Sequence, residues 1–290
     1  MASSKDRQRA IERARYERVR AKIDKKKKEQ KRRKRVAIIS GITVLAVAGI
    51  AVGSIFIATS GSPSKSDDAS ASSSASATAS AAPQPTAHVA GCTTPVSTAP
   101  KKLTWKTEPA MTIDQTAKYT MTIKTNCGDI VISMDASKTP HTVNSFDFLA
   151  QQGYFSDTYC HRLTTSGIYV LQCGDPTATA TSGGSGGPGY TIPDENLTAL
   201  GTAASGGTVT YPAGEVAMAN TGQANSGGSQ FFLVYQDSPL APTYTPFGTI
   251  TSGLDILQAI AKAGSNNSNG SGDGNPMQKV QIQSVTVTKD

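Results

Sequence analysis

Between Tyr159 and Asp175 the chain reads YCHRLTTSGIYVLQCGD, and two of these residues do not suit a plain strand pair. Arg162 and Gln172 sit inside the apolar runs YCHRL and IYVLQC, and a cysteine marks the outer end of each run. Arginine is a permanently charged, planar hydrogen-bond donor, so a fixed one can stabilise an acceptor that forms only as a reaction proceeds. The plainer reading is a structural arginine paired with a carboxylate. Two other chemistries are poorly served. NSGGSQ, residues 225–230, has the glycine-rich look of a nucleophilic-serine loop, but no matching histidine and carboxylate accompany it. Cys160, His161 and Cys173 fit no common zinc spacing, so no metal site is expected. His161 should point to the strand face opposite Arg162.

These residues need a framework to hold them. From Lys118 the chain is rich in β-formers: KYTMTIKT and DIVISMD flank NCG, a hairpin signal. TPHTVNSFDFLAQQGYF reads as a helix. Pro140 suits its first turn and Thr139 its cap, Val143, Phe146, Leu149 and Ala150 form a stripe at helical spacing, and Gly153 can end it. The two runs around TTSG follow, then a glycine-rich loop from Thr177 to Gly189. GEVAMAN, SQFFLVY and YTPFGTI supply three more short strands, GLDILQAIAKAG a second amphipathic helix, and KVQIQSVTVT a closing strand. Strands that are not interleaved with helices exclude a doubly wound parallel sheet. They predict a mainly β fold, a closed barrel of about eight strands capped by two helices.

The segments CHRL, YVLQCGD, DEN, GEVAMANTG, GGSQFFLVY and YTPFG, in this order across about residues 118–288, resemble the cyclophilin-type peptidyl-prolyl cis-trans isomerases. The long TTSGIYVLQCGDP version is similar to that of the membrane-anchored cyclophilins of actinobacteria. The resemblance implies an eight-stranded antiparallel barrel with two capping helices and no cofactor. It implies that Arg162 is the catalytic donor and Gln172 the residue that orients it. It places Tyr169 and Val170 in the proline pocket, at positions usually held by phenylalanine and methionine, with Phe232 and Leu240 as further apolar walls. Ala219 and Asn220 match the strand that pairs with substrate backbone, and Gln230 a second polar contact. Tyr244 falls where many members carry histidine. The chain departs from the family pattern by two extra residues between Arg162 and Gln172 and one between Asn220 and Gln230. Pro239 stands where many eukaryotic members have tryptophan, which speaks against strong binding of the cyclic peptide cyclosporin.

The implied reaction suits the residues. Rotation about an X–Pro bond is opposed by amide resonance, a barrier of ~18–20 kcal/mol, and takes tens to hundreds of seconds unaided. A catalyst has only to hold the twisted amide better than the planar one. Twisting frees the prolyl nitrogen lone pair, which an arginine N–H can meet. No nucleophile, metal or cofactor is needed. The alternative is a non-catalytic module or chaperone that holds proline-containing segments on the same barrel.

Charge is unevenly placed. Residues 1–35 carry 17 Lys and Arg against 5 Asp and Glu, while the whole chain is +7, so the remainder is net negative. A basic tail without a basic fold argues against nucleic acid as the main partner. Residues 36–58 are uncharged, and as a helix would rise roughly 34 Å, enough for a ~30 Å hydrocarbon core. The run is longer than the apolar region of a typical cleaved signal, so an uncleaved anchor is expected, with the basic N-terminus cytoplasmic. Residues 59–88 read as a disordered Ser/Ala/Pro linker, 89–117 as a transition segment lying over the domain surface, and 118–290 as the isomerase domain. The expected protein is a single-pass, monomeric membrane protein whose C-terminal domain acts outside the membrane on proline-containing segments of exported proteins. Its four cysteines, Cys92, Cys127, Cys160 and Cys173, allow three pairings. If the runs around TTSG form a hairpin, Cys160 and Cys173 lie across its ends, which favours that pair and leaves Cys92 for Cys127.

Overall fold

The computed structural model describes residues 88–96, 103–204 and 206–290. The expected basic segment (1–35), the anchor (36–58) and all but the last residue of the linker (59–88) lie outside these residues. Among the described residues no helix is long and apolar enough to cross a membrane.

Strands β1 (Lys118–Thr125) and β2 (Gly128–Asp135) form the expected hairpin, with Thr125 opposite Gly128. Their period-two pattern sends Met121, Ile123, Ile130, Ile132 and Met134 into the core. Helix α1 (Pro140–Gln151) follows and buries Val143, Phe146 and Leu149. Thr139 occupies the N-cap position, but its side chain makes no capping bond. The carboxylate of Glu195, in the distant DEN segment, instead accepts the N–H groups of His141 and Thr142 at 3.0 and 2.9 Å. An anion at a helix N-terminus also meets the positive end of the helix dipole.

Next come β3 (Thr158–Tyr159), β4 (Arg162–Thr164), β5 (Val170–Cys173), β6 (Val209–Tyr211), β7 (Glu215–Met218), β8 (Phe231–Val234), β9 (Ser238–Leu240) and β10 (Pro246–Ser252). Helix α2 (Leu254–Ala263), β11 (Asp273–Gly274) and β12 (Gln281–Lys289) complete the chain. Gly253 opens α2 at φ 90°, and a Cβ there would lie 2.5 Å from the Asp129 carbonyl oxygen, so only glycine fits.

One antiparallel sheet runs in the order β11-β4-β5-β8-β7-β10-β2-β1-β12-β3, and β6 pairs separately with β9. This corrects the expected closed barrel of eight strands. The sheet curls but does not pair its ends, because β3 bonds only β12 and β11 bonds only β4. The run YCHRL is accordingly two short strands. The Cys160 N–H bonds Val280 on one side, and the next N–H, that of His161, bonds Gln172 on the other. The chain itself bridges the gap by changing partners there.

Both expected cysteine pairs are bonded, Cys92 to Cys127 and Cys160 to Cys173. The first fastens residues 88–96 to the β1–β2 turn, where Thr93 and Asn126 exchange hydrogen bonds at 2.7 Å. Residues 103–117 form no helix or strand. Trp105 packs edge-on to Phe148 of α1, ring centres 5.0 Å apart.

Glu215 is an unusual core residue. Only 9% exposed, it faces a recess of about 240 Å³ shared with Lys118, Asp135 and Lys138. Burial pushes its carboxyl from 4.5 up to about 7. Between those values the unfolded chain is ionised and the folded one protonated, so stability falls as pH rises through the window. Glu215→Gln should therefore be more stable than wild type at pH 8 and nearly equal to it at pH 4.5. The gain at pH 8 should be roughly 2–3 kcal/mol, because each tenfold change in proton affinity is worth ~1.4 kcal/mol. Denaturation midpoints at both pH values test this, and parallel pH profiles would count against it.

Candidate functional site

Two apolar clusters share the central strands. The larger is the core proper, while Val170, Tyr211, Ala217, Phe232, Val234 and Leu240 form a second on the other face of β5, β8 and β7. The small β6–β9 sheet sets Leu240 against Val209 and so closes one side of it. Above this floor lies a cavity of about 140 Å³, lined by Arg162, Ile168, Val170, Gln172, Ala219, Asn220, Phe232, Leu240 and Tyr244. Sequence reasoning had named all of these except Ile168. Tyr244 stands edge-on to Phe232, ring centres 5.4 Å apart, and its carbonyl accepts the Tyr211 hydroxyl at 2.7 Å. Asn220 is braced by a side-chain bond to the Thr243 carbonyl at 2.7 Å.

Tyr169 is a correction. It packs edge-on to Tyr235, ring centres 6.0 Å apart, and lines a separate groove with Gln258 and Lys262. Val170 and Gln172 face the cavity, and strand side chains alternate, so adjacent Tyr169 must face away. Ile168 takes its place, held by a narrow bridge to Ser166 within the lengthened connection. The signal was parity: Ile168, Val170 and Gln172 are two residues apart.

Arg162 and Gln172 are direct cross-strand partners in β4 and β5. The Arg162 Nη1 donates to Gln172 Oε1 at 3.3 Å, and Gln172 Nε2 donates to Gln230 Oε1 at 2.9 Å. Gln230 Nε2 in turn donates to the Gly186 carbonyl at 2.8 Å. Gly186 belongs to the glycine-rich loop, which Asp175 holds. Oδ2 of Asp175 accepts the N–H groups of Gly184, Ser185 and Gly186 at 2.6–3.0 Å, and Oδ1 accepts the N–H and hydroxyl of Thr177. A Cβ on Gly186 would collide with the Asp175 carboxylate, which explains glycine there. Burial opposes ionisation of Asp175, but these donors outweigh it and lower its pKa.

On its other side Arg162 meets a residue that sequence reasoning missed. Its Nε and Nη2 donate to Oδ1 and Oδ2 of Asp273 at 2.9 and 2.8 Å, a two-pronged ion pair. The bond to Asp273 raises the arginine pKa further and lowers that of the aspartate. The plainer reading of Arg162, a carboxylate partner, is thus also true; the arginine has both a carboxylate and a cavity.

His161 faces away, packed beneath Gly183, and burial pushes its pKa down. A wider groove of about 690 Å³ adjoins the cavity, shares Gln172, Ala219 and Asn220 with it, and adds Gln230. The transition segment lines this groove with Lys106, Thr107 and Glu108.

Several known proteins are similar to this chain. The family profile described as cyclophilin type peptidyl-prolyl cis-trans isomerase/CLD matches residues 120–287. The probable peptidyl-prolyl cis-trans isomerase B of Mycobacterium tuberculosis is 47% identical over 176 residues, 59% of this chain and 55% of that protein. Peptidyl-prolyl cis-trans isomerase B of Bacillus subtilis is 37% identical over 123 residues, 42% of this chain and 76% of that one. A solved Cryptosporidium parvum cyclophilin type peptidyl-prolyl cis-trans isomerase covers 60% of this chain and 99% of its own, with 26% identity and a TM-score of 0.48. The chain spans about half the length of the mycobacterial relatives it matches. The chain belongs to the family of cyclophilin-type peptidyl-prolyl cis-trans isomerases.

Proposed function

We propose that this protein accelerates cis-trans exchange of X–Pro bonds in exported proteins and so assists their folding outside the membrane. One observation carries the reading: a charged donor, Arg162, is fixed by side chains at the wall of a small cavity floored by Val170, Phe232 and Leu240. Val170, Phe232 and Leu240 give a proline ring an apolar seat, and Arg162 offers an N–H to the prolyl nitrogen once the amide twists. Gln172, its cross-strand partner, contributes one bond to holding the arginine. Ala219 and Asn220 lie where substrate backbone would run, and Gln230 joins the cavity to the wider groove. No step needs a cofactor or metal.

The test is the rate of cis-to-trans exchange in a proline-containing peptide with the full chain. Acceleration above the spontaneous rate supports an isomerase. Binding of the peptide without acceleration would favour the alternative, a holding module or chaperone on the same fold.

The setting rests on sequence. An uncharged run of 23 residues behind a strongly basic segment suits a single-pass anchor with the N-terminus cytoplasmic. The two disulfides suit an oxidising compartment. Deleting residues 36–58 should move the protein from the membrane fraction to the soluble fraction. A full-length chain already found in the soluble fraction would refute the anchor.

A further inference from the structure

Resting on that reading of Arg162, we propose that Asp273 is a positioning residue for the isomerase reaction, which fixes the guanidinium plane so that the remaining N–H groups stay aimed into the cavity.

A guanidinium has five N–H donors in one plane. Asp273 takes two of them, on Nε and Nη2, and Gln172 takes one on Nη1. One N–H on each terminal nitrogen is left for a substrate atom. The 3.3 Å bond to Gln172 is too long to hold the plane alone, whereas the paired bonds to Asp273 at 2.9 and 2.8 Å fix both its position and its rotation. The two side chains are 35% and 27% exposed, and ion pairs that exposed add little to stability. The contribution of the contact is geometric.

The segment carrying Asp273 is built to present it. β11 pairs with β4 so that Asp273 lies opposite Thr164, on the same strand face as Arg162 and diagonal to it. Two bonds tie the segment to the arginine strand on either side: the Asn275 side chain donates to the His161 carbonyl at 2.6 Å, and the Thr165 N–H to the Gly272 carbonyl at 2.7 Å. Asn269 holds the carboxylate itself, its Nδ2 donating to Oδ1 at 3.1 Å, and Asn267 Oδ1 receives the Gly272 N–H at 2.7 Å. The asparagines of GSNNSNGSGDGNP, residues 264–276, thus form a mount.

The experiment is a double-mutant cycle on the full chain with a proline-containing peptide, measuring kcat and KM separately. Asp273→Ala should lower kcat about tenfold, within the ~10²-fold that a 1 Å misplacement can cost, and leave KM within about twofold. Its thermal midpoint should stay within about 2 °C of wild type. In an Arg162→Ala background Asp273→Ala should have no further effect on kcat. The isosteric Asp273→Asn keeps the test open should the alanine variant fold poorly, and should fall between wild type and alanine. An unchanged or raised kcat in the folded Asp273 variants, alongside a loss in Arg162→Ala, overturns this proposal and leaves the arginine reading intact. An equal loss from Asp273→Ala with and without Arg162 also overturns it. No loss in Arg162→Ala overturns the arginine reading and the positioning role together.

Discussion

Arg162→Ala should lower the rate of cis-to-trans exchange at least tenfold, approaching the 10²–10³-fold that removal of one preorganised donor typically costs. The expected size follows from the geometry. The barrier arises from amide resonance, and the cavity's apolar walls cannot distinguish planar from twisted amide. On the proposed mechanism only the guanidinium would meet an atom whose acceptor strength grows on twisting, and so would stabilise the transition state selectively. The loss should fall on kcat more than on KM, because Val170, Phe232 and Leu240 still seat the ring. The fold should survive, since the Asp273 carboxylate left behind is already partly exposed. Arg162→Lys keeps the charge but not the fork, and should recover only part of the rate. The check is a peptide exchange assay with circular dichroism of each variant. Equal rates for wild type and Arg162→Ala would falsify the assigned mechanism.

The largest loss of stability should come from Phe146→Ala, about 3–5 kcal/mol, the usual cost of truncating a fully buried phenylalanine. Phe146 lies on α1 with no exposure and meets three rings: Phe155 stacked at 5.5 Å, Phe231 edge-on at 5.4 Å and Phe247 tilted at 4.8 Å. Phe231 is in β8 and Phe247 in β10, so one side chain joins the helix to two strands of the sheet. The walls of such a cluster cannot collapse easily, because each ring is also fixed from its own backbone. At roughly 2–4 °C per kcal/mol for a domain of this size, the thermal midpoint should fall by more than about 6 °C. Phe146→Leu should cost much less. The effect also reaches the site: Phe231 adjoins Phe232, which faces the cavity from the opposite side of β8. Urea unfolding settles the matter, and a loss below about 1 kcal/mol would show that the cluster relaxes around the gap.

Much of this was legible in the residues alone. The alternation of β1 and β2 marked both strands and the turn between them, because one face of each is buried. The stripe on α1 is local in the same way. A hairpin around TTSG favoured pairing Cys160 with Cys173 among the three possible arrangements, which left Cys92 for Cys127. Local periodicity is written in neighbouring residues, so a sequence carries it directly.

The rest depended on where distant pieces of chain meet. Tyr169 and Val170 both matched the family's pocket positions, yet adjacent strand residues face opposite ways, and the lengthened connection gave the place to Ile168. The cap of α1 comes from Glu195, 54 residues after His141. The sheet stays open because the backbone changes partners between Cys160 and His161, a fact of hydrogen bonding with no mark in side-chain type. Asp273 lies 111 residues from the arginine it holds, in a polar stretch without periodicity. The residues carried the strand alternation and the helical stripe and, through their resemblance to the family, the expectation of a fixed donor beside an apolar pocket. Only the folded path decided which carboxylate aims the donor and which side chains wall the pocket, because both depend on contacts between segments far apart in the chain.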